Sequence, residues 1–257
     1  MEVTSLFSLA GRRALVTGSS RGIGLAIATA FCAAGAEVFI NGRDAAQADG
    51  VARAIAARTG GRARPLAFDV GDAGACADAV DRLERDHGGV DILVNNAGVQ
   101  RRGSLFELDE GALEDVLEVH VVAAFRLGRG LARGMCERGH GRIINISSIL
   151  AAQARPRVAP YCAAKGALSN LTRAMAAEWG GAGVTANAIA PGYTRTDITA
   201  ALAADGEFDD WLRRRVPLGR WGAPDDLAGA AVFLASPAAA FVNGHVLVVD
   251  GGLSATL

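Results

Sequence analysis

Arg13-Ala14-Leu15-Val16-Thr17-Gly18-Ser19-Ser20-Arg21-Gly22-Ile23-Gly24 is the stretch on which the fold turns. A short apolar run passes into a glycine-rich turn, and the turn passes into small and apolar residues that continue to about Ala34. That succession predicts a buried strand, a tight turn and a helix N-terminus, the opening of a βαβ unit. Gly18, Gly22 and Gly24 let the backbone approach a pyrophosphate, whose charge free N–H groups and the helix dipole would stabilise. The spacing is T-G-x-x-x-G-x-G and not the generic G-x-G-x-x-G. Taken alone such a loop is equally well a plain turn, so its meaning depends on the rest of the chain.

Downstream of Ala34 the same alternation repeats. Residues 37–41 read as a second strand, 44–59 as a helix that Asp44 caps, and 63–68 as a third strand ending at Asp69-Val70. A helix begins after Asp72 and runs to about His87; strand 91–94 then leads into Asn95-Asn96-Ala97-Gly98. One long helix is expected over 110–137, a strand over 143–146, and a helix that carries Tyr161 and Lys165 and continues to about Trp179. Residues 184–189 and 246–249 supply the last two strands, the first of them followed by Pro191-Gly192-Tyr193-Thr194-Arg195-Thr196. The pattern implies an α/β chain of Rossmann type: a doubly wound parallel sheet of seven strands with helices on both faces. Its ligands belong at the carboxyl ends of the strands.

Composition narrows the function classes. With 257 residues, 51% hydrophobic, the chain can bury one substantial core, and a single domain is expected. A net charge of -1 gives no reason to expect nucleic acid or an anionic membrane as partner. The start lacks the pattern of a signal peptide and no run of about 18 apolar residues occurs, so a cytoplasmic location is expected. The most apolar stretch, 227–242, is interrupted by Gly229, Ser236 and Pro237, which suits a buried helix followed by a loop. Cys32, Cys76, Cys136 and Cys162 are scattered without paired spacing, so neither a metal site nor a disulfide framework is expected.

One lysine stands among the 26 basic residues, at position 165, four residues after Tyr161, which is one of only two tyrosines. On a helix such a pair shares a face. A neighbouring ammonium favours phenolate, and so moves a side chain of pKa about 10 toward a working acid or base. Lysine suits this as a compact charge with mobile donors. Thirteen residues before Tyr161, Ser148 ends the apolar run 143–146, where a parallel strand presents its residues to a ligand.

Ser148 followed by Tyr161-x-x-x-Lys165 resembles the active site of the short-chain dehydrogenase/reductase family, and the resemblance runs from about residue 7 to the C-terminus. It implies that Tyr161 is the catalytic acid and base, that Ser148 holds the substrate oxygen, and that Lys165 lowers the tyrosine pKa while gripping the nicotinamide ribose. It assigns the cofactor to the glycine loop (Gly18, Ser20, Arg21, Gly22, Ile23, Gly24), to Asp69 and Val70 beside the adenine, and to Asn96, Ala97 and Gly98. Pro191, Gly192, Thr194 and Thr196 would meet the nicotinamide end. Relatives assemble through the helices before Glu137 and after Tyr161, so a homo-oligomer, dimer or tetramer, is implied. The family carries an asparagine where this chain has His120. His120 is expected to be neutral at working pH, with its protonation adding an acidic limb to the rate profile; the plain alternative is a helix histidine without a role.

NADP(H) is the expected cofactor, because strand two ends in Asn41-Gly42-Arg43 with no carboxylate to repel a 2′-phosphate, and Arg43 and Arg21 can bind it. The expected reaction moves hydride between NADP(H) and a secondary alcohol or ketone. Leu6–Gly11, Arg101-Arg102, Arg220-Trp221-Gly222 and Phe241–His245 lie outside the general motifs and resemble members that act on sugar acids. A small polyhydroxy carboxylate held by Arg101, Arg102 or Arg155 is therefore expected, beneath a lid over 193–222 that is rich in aromatic and cationic residues. A reductase of carrier-protein-bound 3-oxoacyl groups shares the same apparatus. Relatives of that kind carry basic residues at the positions of Gly139 and Ala182, which are absent here. A regulator that binds cofactor without turnover would be expected to have lost Tyr161 or Lys165.

Overall fold

In the computed structural model, which describes residues 2–256, a short helix α1 (Val3–Leu6) precedes the strand β1 (Arg13–Val16), whose Ala14, Leu15 and Val16 are fully buried. The glycine turn leads into α2 (Gly22–Ala33), and the chain continues through β2 (Glu37–Ile40), α3 (Ala45–Thr59), β3 (Arg62–Pro65), α4 (Ala73–His87) and β4 (Ile92–Asn95). Then come α5 (Glu110–Leu117), α6 (Ala123–Glu137), β5 (Gly141–Ile146), α7 (Ala159–Trp179) and β6 (Val184–Pro191). Two short helices, α8 (Ala200–Ala203) and α9 (Gly206–Arg215), precede α10 (Ala228–Ala235) and β7 (Val246–Val249). All seven strands are parallel, in the order β3-β2-β1-β4-β5-β6-β7. The order reverses between β1 and β4, which opens the crevice at the carboxyl ends of those strands.

Side chains alternate across the sheet and give it two cores. Ala14, Val16, Ile144, Ile146 and Ile189 pack with Ile27, Phe31 and Leu234 of α2 and α10 on one face. Leu15, Leu93 and Ile143 pack with Leu83, Leu127, Leu131 and Met175 of α4, α6 and α7 on the other. A third cluster joins Leu212, Val216 and Trp221 to Ile149 and Leu253, and so fixes α9 to the body of the chain. Asp44 and Asp72 cap α3 and α4 as expected, accepting from Ala46 and Gln47 N–H and from Ala75 N–H.

Two expectations change. The third strand ends at Pro65 and not at residue 68, although Leu66 and Phe68 still donate to Ile40 and Gly42 O beyond the ladder. The long helix over 110–137 is broken by a π turn, Glu118–Val122, which separates α5 from α6 and has His120 at its centre. Such a turn carries one residue more than α-helical winding, so it re-aims the side chain at its middle.

A buried polar chain sets the height of α7 on the sheet. Asn95 Nδ2 donates to Asn145 Oδ1 (2.8 Å), Asn145 Nδ2 to Thr172 Oγ1 (2.8 Å), and Thr172 Oγ1 to Leu168 O (2.8 Å). Ser147 and Ser169 hydroxyls meet at 2.6 Å beside it. Breaking one link leaves a buried group unpaired at about 1–3 kcal/mol, so the position of α7 is strongly determined.

Candidate active site

A cleft of about 1130 Å3 follows the carboxyl edge of the sheet. At the β2–β3 end its wall is made by Gly18, Ser20, Arg21, Gly22, Ile23, Arg43, Asp69 and Val70. Asn96, Ala97 and Gly98 line the middle, and His120, Ser148, Tyr161, Lys165, Pro191, Gly192, Thr194 and Thr196 the β5–β6 end. Gly24 lies behind the wall, where a Cβ would stand 2.5 Å from Gly18 O. Arg101 is at the rim, and Arg155 is outside the wall.

The glycine turn is braced from the ends of the neighbouring strands. Thr17 Oγ1 accepts from Asn96 and Ala97 N–H (2.9 and 3.0 Å), and Asn96 Nδ2 returns bonds to Thr17 and Gly18 O. Asn41 is 2% exposed; its amide accepts from Gly18 N–H and donates to Leu66 and Phe68 O, tying the ends of β1, β2 and β3. Gly18 has φ +59°, and a Cβ there would stand 2.9 Å from Ala97 Cα, so only glycine permits this approach. The bracing by Thr17 and Asn41 is not evident from the sequence. A polar residue closing each apolar strand is its one local signal.

At the other end, Tyr161 and Lys165 share one face of α7, with the ammonium 5.4 Å from the centre of the phenol ring. Lys165 is 3% exposed and donates to Ile146 O at 2.6 Å, the carboxyl end of β5. Burial brings its pKa down to about 7. The phenol, expected to be lowered by its neighbour, is instead pushed up to about 12 by burial, with hydrogen bonding to Ser148 opposing that rise. Lys165 lies over the ring and is spent on a carbonyl, so in the chain alone desolvation outweighs it. Ser148 Oγ also accepts from Leu150 N–H, which starts the turn after β5.

His120 is 3% exposed and meets Tyr161 edge to face, with ring centres 5.4 Å apart. Its Nε2 is 2.8 Å from Val99 O and 3.2 Å from Val99 N; the shorter contact makes Nε2–H the donor, and leaves Nδ1 buried without a partner. Burial first, and then the charge of Lys165, push its pKa down to about 3. The acidic limb expected from its protonation is thereby moved below the working range. Gly98 faces the ring, and a Cβ at that position would stand 2.5 Å from His120 Cε1.

The structure sorts the arginines by whether they own a carboxylate. Arg21, expected to bind phosphate, is paired with Asp197 at 2.9 Å across the cleft mouth, and Arg101 with Asp115 at 2.8 Å. Within 193–222, Arg195 and Arg213 share Asp209, which also accepts from Trp221 Nε1 (2.7 Å), and Arg220 pairs with Asp226. Arg43, Arg102 and Arg155 form no ion pair among the described residues. Arg102 donates to Gln100 Oε1 and Ile198 O, and is drawn below its ordinary pKa by desolvation and then by Arg155. Arg155 lies over the ring of Phe208 at 4.8 Å, within an aromatic group that includes Tyr193, Trp211 and Trp221. Its loop contains Arg157 at φ +67°, held by Glu107 and by a bond from Gly103 N–H.

Known proteins share this arrangement. Residues 18–254 match the family model described as Enoyl-(Acyl carrier protein) reductase. The chain is 50% identical over 257 residues to gluconate 5-dehydrogenase of Gluconobacter oxydans (strain 621H), covering 100% of both. It is 43% identical over 251 residues to 5-keto-D-gluconate 5-reductase of Escherichia coli (strain K12), covering 98% of each. The crystal structure of a gluconate 5-dehydrogenase from Burkholderia cenocepacia J2315 in complex with NADP and tartrate superposes with a TM-score of 0.96 at 45% identity, over 100% of both chains. Fold, motifs and full-length similarity agree: the chain belongs to the short-chain dehydrogenase/reductase family.

Proposed function

We propose that this enzyme transfers hydride between NADP(H) and a secondary alcohol or ketone, with D-gluconate and 5-keto-D-gluconate as its substrate pair. The observation that carries this is the meeting of Ser148, Tyr161 and Lys165 at the β5–β6 end of a cleft long enough for a dinucleotide. The residues present fit NADP(H). The glycine cradle admits a pyrophosphate at the N-terminus of α2, and Arg43, without an ion pair among the described residues, stands at the end of β2, where Asn41 is turned inward and the carboxylate of Asp44 is engaged in capping α3. Asp69 and Val70 would flank the adenine; Asn96, Ala97, Gly98, Pro191, Gly192, Thr194 and Thr196 would hold the remainder.

When bound, NADP(H) supplies or accepts the hydride. Ser148 orients the substrate oxygen. Tyr161, protonated at neutral pH, gives its proton to a carbonyl oxygen during reduction. Oxidation needs the phenolate, which Lys165 favours when it carries its proton, and a pKa of about 7 lets it gain or lose that proton in the working range. His120 stays neutral, and its unpaired Nδ1 is an acceptor for the proton path near Lys165.

The substrate carboxylate is assigned to Arg155, with Arg102 beside it, since among the described residues neither has an ion pair like those that occupy Arg101, Arg195, Arg213 and Arg220. Tartrate, present with the Burkholderia cenocepacia relative, is a polyhydroxy carboxylate of this class. Residues 193–222 are read as a lid on a single-domain, cytoplasmic enzyme that works as a homo-oligomer, whose size sedimentation velocity measures; among the described residues no helix is long and apolar enough to cross a membrane. The 3-oxoacyl reductase alternative is disfavoured by Gly139 and Ala182. Steady-state assays with gluconate, 5-keto-D-gluconate and an acetoacetyl thioester test the choice. Turnover of the first two is expected, with Arg155→Ala raising KM for gluconate about tenfold or more, the worth of one charge-assisted pair. Preference for the thioester would reverse the assignment.

A further inference from the structure

Two cations are buried among the described residues, Lys165 and Arg142. They stand at opposite ends of β5, since Lys165 reaches Ile146 O at the carboxyl end while Arg142 is the second residue of the strand. Nothing in the cleft accounts for Arg142, which lies some 13 Å away at about 3.3 Å per residue. Its guanidinium is 6% exposed, donates from Nη1 only to Gly141 O, and has no partner at Nε. Among the described residues no carboxylate forms an ion pair with it.

Its neighbour in register on β6 is Thr185, 9% exposed, whose Oγ1 is also buried and unpaired. Residues 144 and 146 of β5 and Ile189 of β6 point into the α2–α10 core, so by alternation Arg142 and Thr185 open on that same face, one strand spacing apart. Two orphaned polar atoms on adjacent strands call for one shared partner.

The charges around them decide its nature. Arg12 adds a second guanidinium; burial first, and then this neighbouring charge, draw the pKa of Arg142 down. Asp91 serves Arg12 at 3.5 Å and Arg13 N–H at 2.8 Å, and Glu84 serves Arg138. His140, pushed down to about 4 by burial and then by Arg142 and Arg12, is neutral. Three guanidiniums thus face two carboxylates, and the charge left over is the buried one. A water could accept from Nε–H yet would leave that charge unmatched, and unpaired buried charge is strongly destabilising.

We propose that the amino ends of β5 and β6 bind a halide-sized monovalent anion, which accepts hydrogen bonds from Arg142 Nε–H and Thr185 Oγ1–H. The site is structural: it joins the two strands at the end of the sheet away from the chemistry, and it neutralises Arg142.

Bromide is the probe. Crystals soaked in sodium bromide are expected to show an anomalous peak within hydrogen-bond distance of Arg142 Nε and Thr185 Oγ1; water or protein at that point would overturn the proposal. In solution, sodium bromide titrated at constant ionic strength is expected to raise Tm saturably, with the half-point shifted about tenfold by Thr185→Val and the response abolished by Arg142→Met. Bromide bound in the cleft would shift all three proteins equally, and that result, or a response without saturation, would also overturn it. If Arg142→Met does not fold, the Thr185→Val shift and the anomalous map decide.

Discussion

The two ends of β5 each hold a buried cation, and they are furnished in opposite ways. At the carboxyl end Lys165 is surrounded by groups that exchange protons or ligands: a carbonyl, a phenol, a neutral imidazole and an open cleft. At the amino end Arg142 is buried beside the fixed charge of Arg12 and away from the cleft. An amine can give up its proton when burial lowers its pKa, whereas a guanidinium keeps its charge. The single lysine of the chain is therefore found where a proton can be exchanged near neutral pH, and arginine where a charge stays.

The comparison breaks if the two cations prove interchangeable in their effects. Tyr161→Phe and Lys165→Met are each expected to lower kcat/KM by about 10²–10⁴-fold, the range for losing a positioned acid or base, while Arg142→Met leaves kcat within about twofold. Loss of activity in Arg142→Met at full folded content would erase the distinction. Arg43→Ala tests whether the far end of the cleft is built for phosphate. The preference for NADP over NAD should fall by roughly ten- to a hundredfold, and an unchanged ratio would reject Arg43. The smallest effect concerns His120. Its native pKa of about 3 lies below the ordinary 6.5, so the unfolded chain binds more protons, and stability due to the neutral ring is present above pH 6.5 and lost as pH falls toward 3. His120→Asn should soften acid unfolding in that window, yet give a rate profile that superimposes on the parent from pH 5 to 9, apart from a constant factor. A limb near pH 6.5 in the parent alone would show that the imidazole titrates in the working range.

Legibility from sequence followed the reach of the interactions. The glycine loop, Ser148 and Tyr161-x-x-x-Lys165 were readable because a strand end or one helical turn brings their atoms together. Capping by Asp44 and Asp72 was readable for the same reason. The fates of the arginines were not. Arg21 finds Asp197 from the far side of the cleft, and Arg101 finds Asp115 on α5, so no local pattern could tell these from Arg43 and Arg155, which form no ion pair among the described residues. The π turn was hidden because apolar periodicity continues through it and the helix resumes at once. The pKa of Tyr161 went the other way because adjacency to Lys165 could be read, but the desolvation of a half-buried phenol on the cleft wall could not.

The contact between Gly98 and His120 constrains the routes by which this site can change. A side chain at 98 has no room while the imidazole is present, with 2.5 Å to its Cε1, whereas a smaller residue at 120 would open space there. Gly98→Ala made first should therefore be damaging, and made after His120→Asn should be tolerated, so that the two substitutions are strongly epistatic and one mutational order is open while the other is closed.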